Sequence, residues 1–144
     1  MSSSNMLALI NANSGLLYRS SNMLKIKNKI NQEWPQAYLQ VTTTVSESET
    51  IIARWIKEKK DPIFISCGGD GTLSQLINTC MKWYDGKTNI PKIIVTSIGS
   101  GCDFSRTLLK QKAIYPHSFI KSDLLQVEYK DINTRATYFN SILW

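Results

Sequence analysis

Cysteine and histidine are scarce in this chain, and long apolar runs are missing; each shortage removes a class of function. The three cysteines, Cys67, Cys80 and Cys102, are odd in number and lie 13 and 22 residues apart. That spacing is neither a disulfide framework nor a zinc site, and reduced thiols fit a cytoplasmic home. Cys102 reads as a passive small residue, because no His or second Cys is placed beside it to make a reactive thiol. The one histidine, His117, stands between Pro116 and Ser118 and reads as a structural loop imidazole. No apolar run approaches the ~20 residues of a membrane span, and the Ser-rich N-terminus has no signal-peptide core.

Several catalytic patterns are absent as well. No G-x-S-x-G elbow occurs, so Ser14, Ser97 and Ser100 are read as phosphate-binding hydroxyls rather than nucleophiles. A P-loop is missing too: Gly86-Lys87-Thr88 has Met81 where G-x-x-x-x-G-K-[ST] needs its first glycine. A dinucleotide fingerprint would place a third glycine at Ser74. The chain carries 17 basic against 11 acidic residues, a net charge of +6. Lys25, Lys27 and Lys29, then Lys57, Lys59 and Lys60, fall on or after expected helices and read mainly as solvated faces. An anionic partner is the other reading of these lysines. No interleaving of aromatic and basic residues marks a single-strand platform, so nucleic acid is not expected as a partner.

What is present is concentrated in Ile63-Phe64-Ile65-Ser66-Cys67-Gly68-Gly69-Asp70-Gly71-Thr72. An apolar stretch ends in glycines, and Leu73, Leu76, Ile77, Cys80 and Met81 then recur with helical spacing. The segment reads as strand, tight loop, helix. Such a loop brings unpaired N–H groups to the positive end of a helix dipole, where anions bind. Glycine admits positive φ and leaves room for a ligand against the main chain. Asp70 would repel a bare phosphate, but it suits phosphates that arrive with a divalent cation, as in Mg²⁺-nucleotide.

Strands and helices alternate along the first 122 residues. Strands are expected at Met6–Ile10, Tyr38–Val41, near Ile63–Cys67 and at Ile93–Thr96. A helix with Met23, Ile26, Ile30 and Trp34 on one face follows the first. Another, burying Ile51, Ile52, Trp55 and Ile56, opens on a capping box with Ser46 as N-cap and Glu49 at N3. A short helix is expected from about Asp103 to Leu109. Apolar strands joined by amphipathic helices imply an α/β fold, a mostly parallel sheet covered on both faces. Ligands of such sheets bind outside the C-terminal strand ends. Residues 123–144 differ: Leu124–Lys130 and Arg135–Leu143 alternate in period two and read as a β-hairpin opening a second, β-rich domain. The chain stops within the apolar Ile142-Leu143-Trp144, as a piece of a longer protein would. Exposed hairpin edges in such a piece would promote self-association.

Three motifs, in order, make the chain similar to the diacylglycerol kinase and sphingosine kinase superfamily, including bacterial lipid kinases. Asn11-Ala12-Asn13-Ser14-Gly15 resembles its N-P-x-S-G, Gly68-Gly69-Asp70-Gly71-Thr72-Leu73 its G-G-D-G-T-L, and Gly99-Ser100-Gly101-Cys102-Asp103-Phe104-Ser105-Arg106 its G-T-G-N-D-F-A-R. Thr42 stands where the family has a Thr after the second strand. Ser122-Asp123-Leu124 and Tyr138-Phe139-Asn140 resemble the V-D-L and F-x-N that follow. The second motif alone would also admit an NAD kinase; the third turns the resemblance toward lipid kinases.

The resemblance implies transfer of the ATP γ-phosphoryl group to a lipid hydroxyl, such as that of diacylglycerol, with Mg²⁺, at a membrane surface. It assigns the nucleotide to Asn11, Ala12, Asn13, Ser14, Gly15, Thr42, Gly68, Gly69, Asp70, Gly71, Thr72, Gln75, Gly99, Ser100 and Gly101, with Asp70 organising the metal and its water as the catalytic residue. It also implies that the general base, the metal ligands and the lipid site belong to a second domain past Trp144, so this stretch alone would be inactive. Departures qualify the match. Ala12 replaces Pro, which should loosen the first turn, and Ser74-Gln75 replaces Asn-Glu, so that no anionic group stands at 75. Ser97 replaces Pro, Ser100 replaces Thr and Cys102 replaces Asn. A nucleotide-binding module without catalysis is therefore the second expectation.

Overall fold

The computed structural model describes residues 4–13, 20–84 and 91–96, with residues 20 and 21 by backbone alone, and the backbone of 125–127 and 137–139. Its elements run β1 (Met6–Asn11), α1 (Ser20–Glu33), β2 (Tyr38–Thr42), α2 (Val45–Glu58), β3 (Ile63–Cys67), α3 (Asp70–Trp83), β4 (Lys92–Val95), β5 (Leu125–Val127) and β6 (Thr137–Phe139). The expected α/β fold is the observed one. The helix expected over 103–109, and the loop preceding it, lie outside the described residues.

Four strands form one sheet in the order β2-β1-β3-β4, and every pairing is parallel. Parallel neighbours cannot be joined by a tight turn, so a helix crosses between them. The register sets Ile10 beside Val41 and Cys67, and Asn11 beside Thr42. All four strands therefore end on one edge.

Side-chain alternation along the strands sorts the core into two layers. Leu7, Leu9 and Phe64 point to one face and pack with Ile52, Trp55 and Ile56 of α2 and with Leu76 and Cys80 of α3. Met6, Ala8, Ile10, Ile65 and Cys67 point to the other, against Ile30, Met23 and Ile26 of α1 and Trp34 just beyond it. Ala8, Ile10, Ile52, Phe64 and Ile65 have no solvent exposure. This is why the strands of the sheet centre read as nearly continuous apolar runs, with Ser66 the one polar residue inside β3.

The start of α2 differs from expectation. Thr44, not Ser46, is the N-cap: its backbone is extended and its hydroxyl accepts from the Glu47 N–H at 3.2 Å. Glu47 Oε2 accepts in turn from the Thr43 N–H at 2.9 Å and from the Thr43 hydroxyl at 3.3 Å. Thr44-Val45-Ser46-Glu47 satisfies the same spacing rule as Ser46-Glu47-Ser48-Glu49. The earlier box prevails because β2 already ends at Thr42, leaving Thr43 and Thr44 to turn into the helix.

β5 and β6 pair antiparallel, Leu125 with Phe139 and Val127 with Thr137. These short strands fall within the two segments expected to alternate, and the residues between them lie outside the described ones. Among the described residues no helix is long and apolar enough to cross a membrane.

Candidate functional site

A sheet ordered 2-1-3-4 changes winding direction between β1 and β3. Connections leaving those two strands go to opposite faces, which opens a crevice at their C-terminal ends. The residues at that crevice are Asn11 on one side and Gly68-Gly69 on the other.

Asn11 is the last residue of β1 and shares the face of Leu7 and Leu9, toward α3. Its Nδ2 donates to Thr72 Oγ1 at 3.2 Å, and its Oδ1 accepts from the Asn13 N–H at 3.0 Å. A residue of the first motif is thus bonded to a residue of the second, 61 positions away. Asn13 Nδ2 donates to the Thr43 carbonyl at 2.7 Å, and the Ala12 N–H donates to the Thr42 carbonyl at 2.9 Å. The segment after β1 is stitched to the end of β2 through these bonds. Thr42 is only 4 % exposed, under that stitch.

Ala12 corrects one expectation. A proline at 12 could not donate to Thr42, whereas Ala12 does and extends the β1–β2 ladder by one bond. The substitution tethers the start of this turn rather than loosening it.

The glycines also work differently from expectation. Gly69 is the N-cap of α3 with φ −82°, and neither Gly68 nor Gly71 adopts left-handed backbone. Positive φ is not what these positions require. At Gly68 the requirement is close approach, since a Cβ there would stand 2.6 Å from Thr72 Cβ and 2.8 Å from Thr72 Cγ2. At Gly71 a Cβ would meet no described atom within 4 Å beyond its chain neighbours and the backbone of its own helix. Gly71 sits in the first turn of a helix, where glycine costs up to about 1 kcal/mol against alanine. Nothing within the described chain requires that cost.

Asp70 is exposed in the first turn of α3, where a carboxylate favours the helix dipole. The acidic residues of the first helical turns at this edge are Asp70 and Glu47. A phosphate would meet backbone N–H groups and hydroxyls here, beside carboxylates. Among the described residues no three or more metal-binding side chains gather. A site using one carboxylate, phosphate oxygens and water remains compatible with Mg²⁺, which rarely needs a protein cage.

Gln75 lies one turn further along α3 and is turned elsewhere. Its Nε2 donates to the Val45 carbonyl at 3.4 Å, joining α3 to the first turn of α2. The structure thus brings Asn11, Ala12, Asn13 and Thr42 to the same edge as Gly68, Gly69, Asp70, Gly71 and Thr72. Ser14, Gly15, Gly99, Ser100 and Gly101 lie outside the described residues. Thr43, Thr44 and Glu47 shape this edge and were not singled out from the sequence as site residues. The T-x-x-E spacing was the available signal.

Cys67 and Cys80 are buried on opposite faces of the sheet, and burial pushes both thiols up to about 12. A hydrogen bond with Thr96 offsets part of that rise at Cys67. Neither is a nucleophile near neutral pH.

Sheet order, crevice and glycine-rich helix start define a parallel α/β domain with Asn11 and the Gly68–Thr72 segment meeting at its switch point. A family model described as the diacylglycerol kinase catalytic domain matches residues 5–131, and the chain belongs to that family. No curated protein matches the chain. Membership supports a kinase-type phosphotransferase domain that uses ATP.

Proposed function

We propose that this chain forms the nucleotide-binding part of a lipid kinase, which transfers the γ-phosphoryl group of ATP to a lipid hydroxyl such as that of diacylglycerol. The observation that carries the reading is Gly71: a glycine in the first turn of α3 where, among the described residues, the space for a side chain is open. A bound phosphate explains that space, and packing within the described residues does not.

In the proposed reaction the lipid oxygen forms a bond to Pγ as the bond from Pγ to the β–γ bridging oxygen breaks. ADP leaves, and the hydroxyl proton passes to a base. Such transfers depend on positioning and electrostatic stabilisation more than on covalent chemistry. Gly68 to Thr72 would hold phosphate oxygens through backbone N–H groups, assisted by the dipole of α3. Asn13, with Ser14, Gly15 and Ser100 assigned by the resemblance, would line the nucleotide, while Asn11, bonded to Thr72, and the buried Thr42 would support that edge from beneath. Asp70 would orient water around Mg²⁺, which when bound neutralises phosphate charge. A divalent cation would offset the repulsion between phosphate and the first-turn carboxylates Asp70 and Glu47. The base and the lipid site are assigned to chain beyond the residues described here, and the membrane surface that presents the lipid would be met from the cytoplasmic side.

A nucleotide-binding module without catalysis is the second reading. It is favoured by Gln75, which is neutral and bonded to Val45 where the family carries a carboxylate.

Calorimetric titration with Mg-ADP or Mg-ATP tests the common part. The wild-type chain is expected to bind, and Gly71→Val to lose binding while circular dichroism shows an intact fold. Equal affinity in the two would refute the cradle. Asp70→Asn is expected to weaken binding when Mg²⁺ is present and to matter less in EDTA; tighter binding in both conditions would reduce Asp70 to simple repulsion. Radiolabelled phosphorylation of diacylglycerol by a chain carrying the second domain separates the kinase from the module.

A further inference from the structure

Asn11 has a chemical direction that the motif alone does not specify. A carboxamide can be turned either way, but the Asn13 backbone N–H can only donate, so the atom facing it at 3.0 Å is Oδ1. Nδ2 therefore faces Thr72, and because an amide nitrogen only donates, Thr72 Oγ1 accepts at 3.2 Å. A hydroxyl also has one proton to give. Among the described residues the Thr72 hydroxyl donates to none, and its one hydrogen bond is the one from Asn11. The hydroxyl cannot turn its proton toward Asn11 without meeting an N–H group. The Thr72 side chain lies over Gly68, in the space that a Cβ at position 68 would take.

From this geometry we infer that Asn11 is a positioning residue: by donating to Thr72 Oγ1 it reserves the Thr72 hydroxyl proton for an anionic phosphate oxygen at the start of α3. The inference rests on the nucleotide reading above and adds one donor to the cradle, fixed by a strand end 61 residues away in sequence. The order of dependence is definite. Asn13 orients Asn11, Asn11 orients Thr72, and Thr72 meets the ligand. Rigid strand ends hold such a constellation more closely than a loop does. A donor already turned toward its target needs no reorganisation when charge arrives.

The test is a double-mutant cycle in Mg-ADP affinity by calorimetry, with thermal midpoints as the fold control. Thr72→Val keeps the shape and removes the hydroxyl; about a fivefold loss is expected, the size of one hydrogen bond. Thr72→Ser keeps the hydroxyl and should retain wild-type affinity. Asn11→Ala should lose about as much as Thr72→Val, and the double variant no more than Thr72→Val alone, because the amide then has nothing to aim. Asn11→Asp keeps the contact but reverses it, since a carboxylate takes the Thr72 proton. It should lose affinity even at ~0.5 M salt, where added charge is screened to within a few ångströms. It also serves should Asn11→Ala fail to fold. Losses that multiply to about 25-fold in the double variant would overturn the inference, as would unchanged affinity in Asn11→Ala or, at that salt concentration, in Asn11→Asp. A wild-type chain that binds no Mg-nucleotide would overturn the nucleotide reading itself, and the inference with it.

Discussion

Gly68 and Gly71 lie three residues apart in one motif, yet alanine should act on them in opposite ways. At Gly71 the new methyl meets no described atom, and the residue is already helical. The substitution restricts the unfolded chain and favours the helix, so a gain of about 0.5–1 kcal/mol is expected in the free protein. That corresponds to a rise in Tm of about 2–4 °C for a chain of this size. The same methyl occupies the space assigned to phosphate, so Mg-ADP affinity should fall about tenfold or more, in line with an overpacking cost of about 1–3 kcal/mol. At Gly68 the methyl would stand 2.6 Å from Thr72 Cβ, well inside the ~3.5 Å at which carbon atoms pack. Thr72 must move, which strains α3 and breaks the bond from Asn11. A loss of about 2–3 kcal/mol is expected, from overpacking plus one hydrogen bond. Urea unfolding with and without Mg-ADP reads both effects. A Gly71→Ala protein that is less stable than wild type when free, or that binds as tightly as wild type, would refute the reasoning.

Other outcomes follow from the same structure. Thr44→Ala should cost about 1 kcal/mol by removing the α2 cap, whereas Ser46→Ala should cost close to nothing; equal losses in urea unfolding would restore Ser46 as the cap. The buried thiols stay protonated to about 12 in the folded chain, against 9.0 when unfolded, so their contribution is full below pH 9 and is lost as pH rises toward 12. Each thiol should remove up to about 1.4 kcal/mol per pH unit within that window, and Cys67→Ala with Cys80→Ala should flatten the alkaline slope. An unchanged slope would remove the thiols as its cause. Among the described residues β5 and β6 pair only with each other, and we propose that their open edges recruit a second copy. Light scattering should then find the chain without residues 123–144 more monomeric and still able to bind nucleotide; a full chain that is monomeric at high concentration contradicts this.

Much of the fold was legible because burial acts through periodicity. The central strands Met6–Asn11 and Ile63–Cys67 are covered on both faces, so they are apolar apart from Ser66 and the terminal Asn11 and stand out in the sequence. The helices expose one face, and their apolar spacing gave Ile52, Trp55 and Ile56 and then Leu73, Leu76 and Cys80 as core. The cap of α2 was misplaced because two overlapping T/S-x-x-E patterns satisfy one rule, and only the end of β2 decides between them. Within the site, the glycine motif identified the loop but not its mechanics. The demand at Gly68 comes from Thr72, and a contact across a turn leaves no mark that separates it from a demand for positive φ. The bonds from Asn11 to Thr72 and from Ala12 to Thr42 depend on strand register, which no local pattern encodes.

The central claim is that nucleotide binds at the crevice between the ends of β1 and β3. Backbone amide chemical shifts of the isotopically labelled chain, followed by NMR as Mg-ADP is added, test this most directly. The account predicts that the largest changes fall on Asn11–Asn13, Thr42–Thr44 and Gly68–Leu73, with little change at the opposite ends of the strands. Saturable changes centred on Tyr38, Lys59, Lys60 and Trp83 instead, or no saturable change at all, would contradict it.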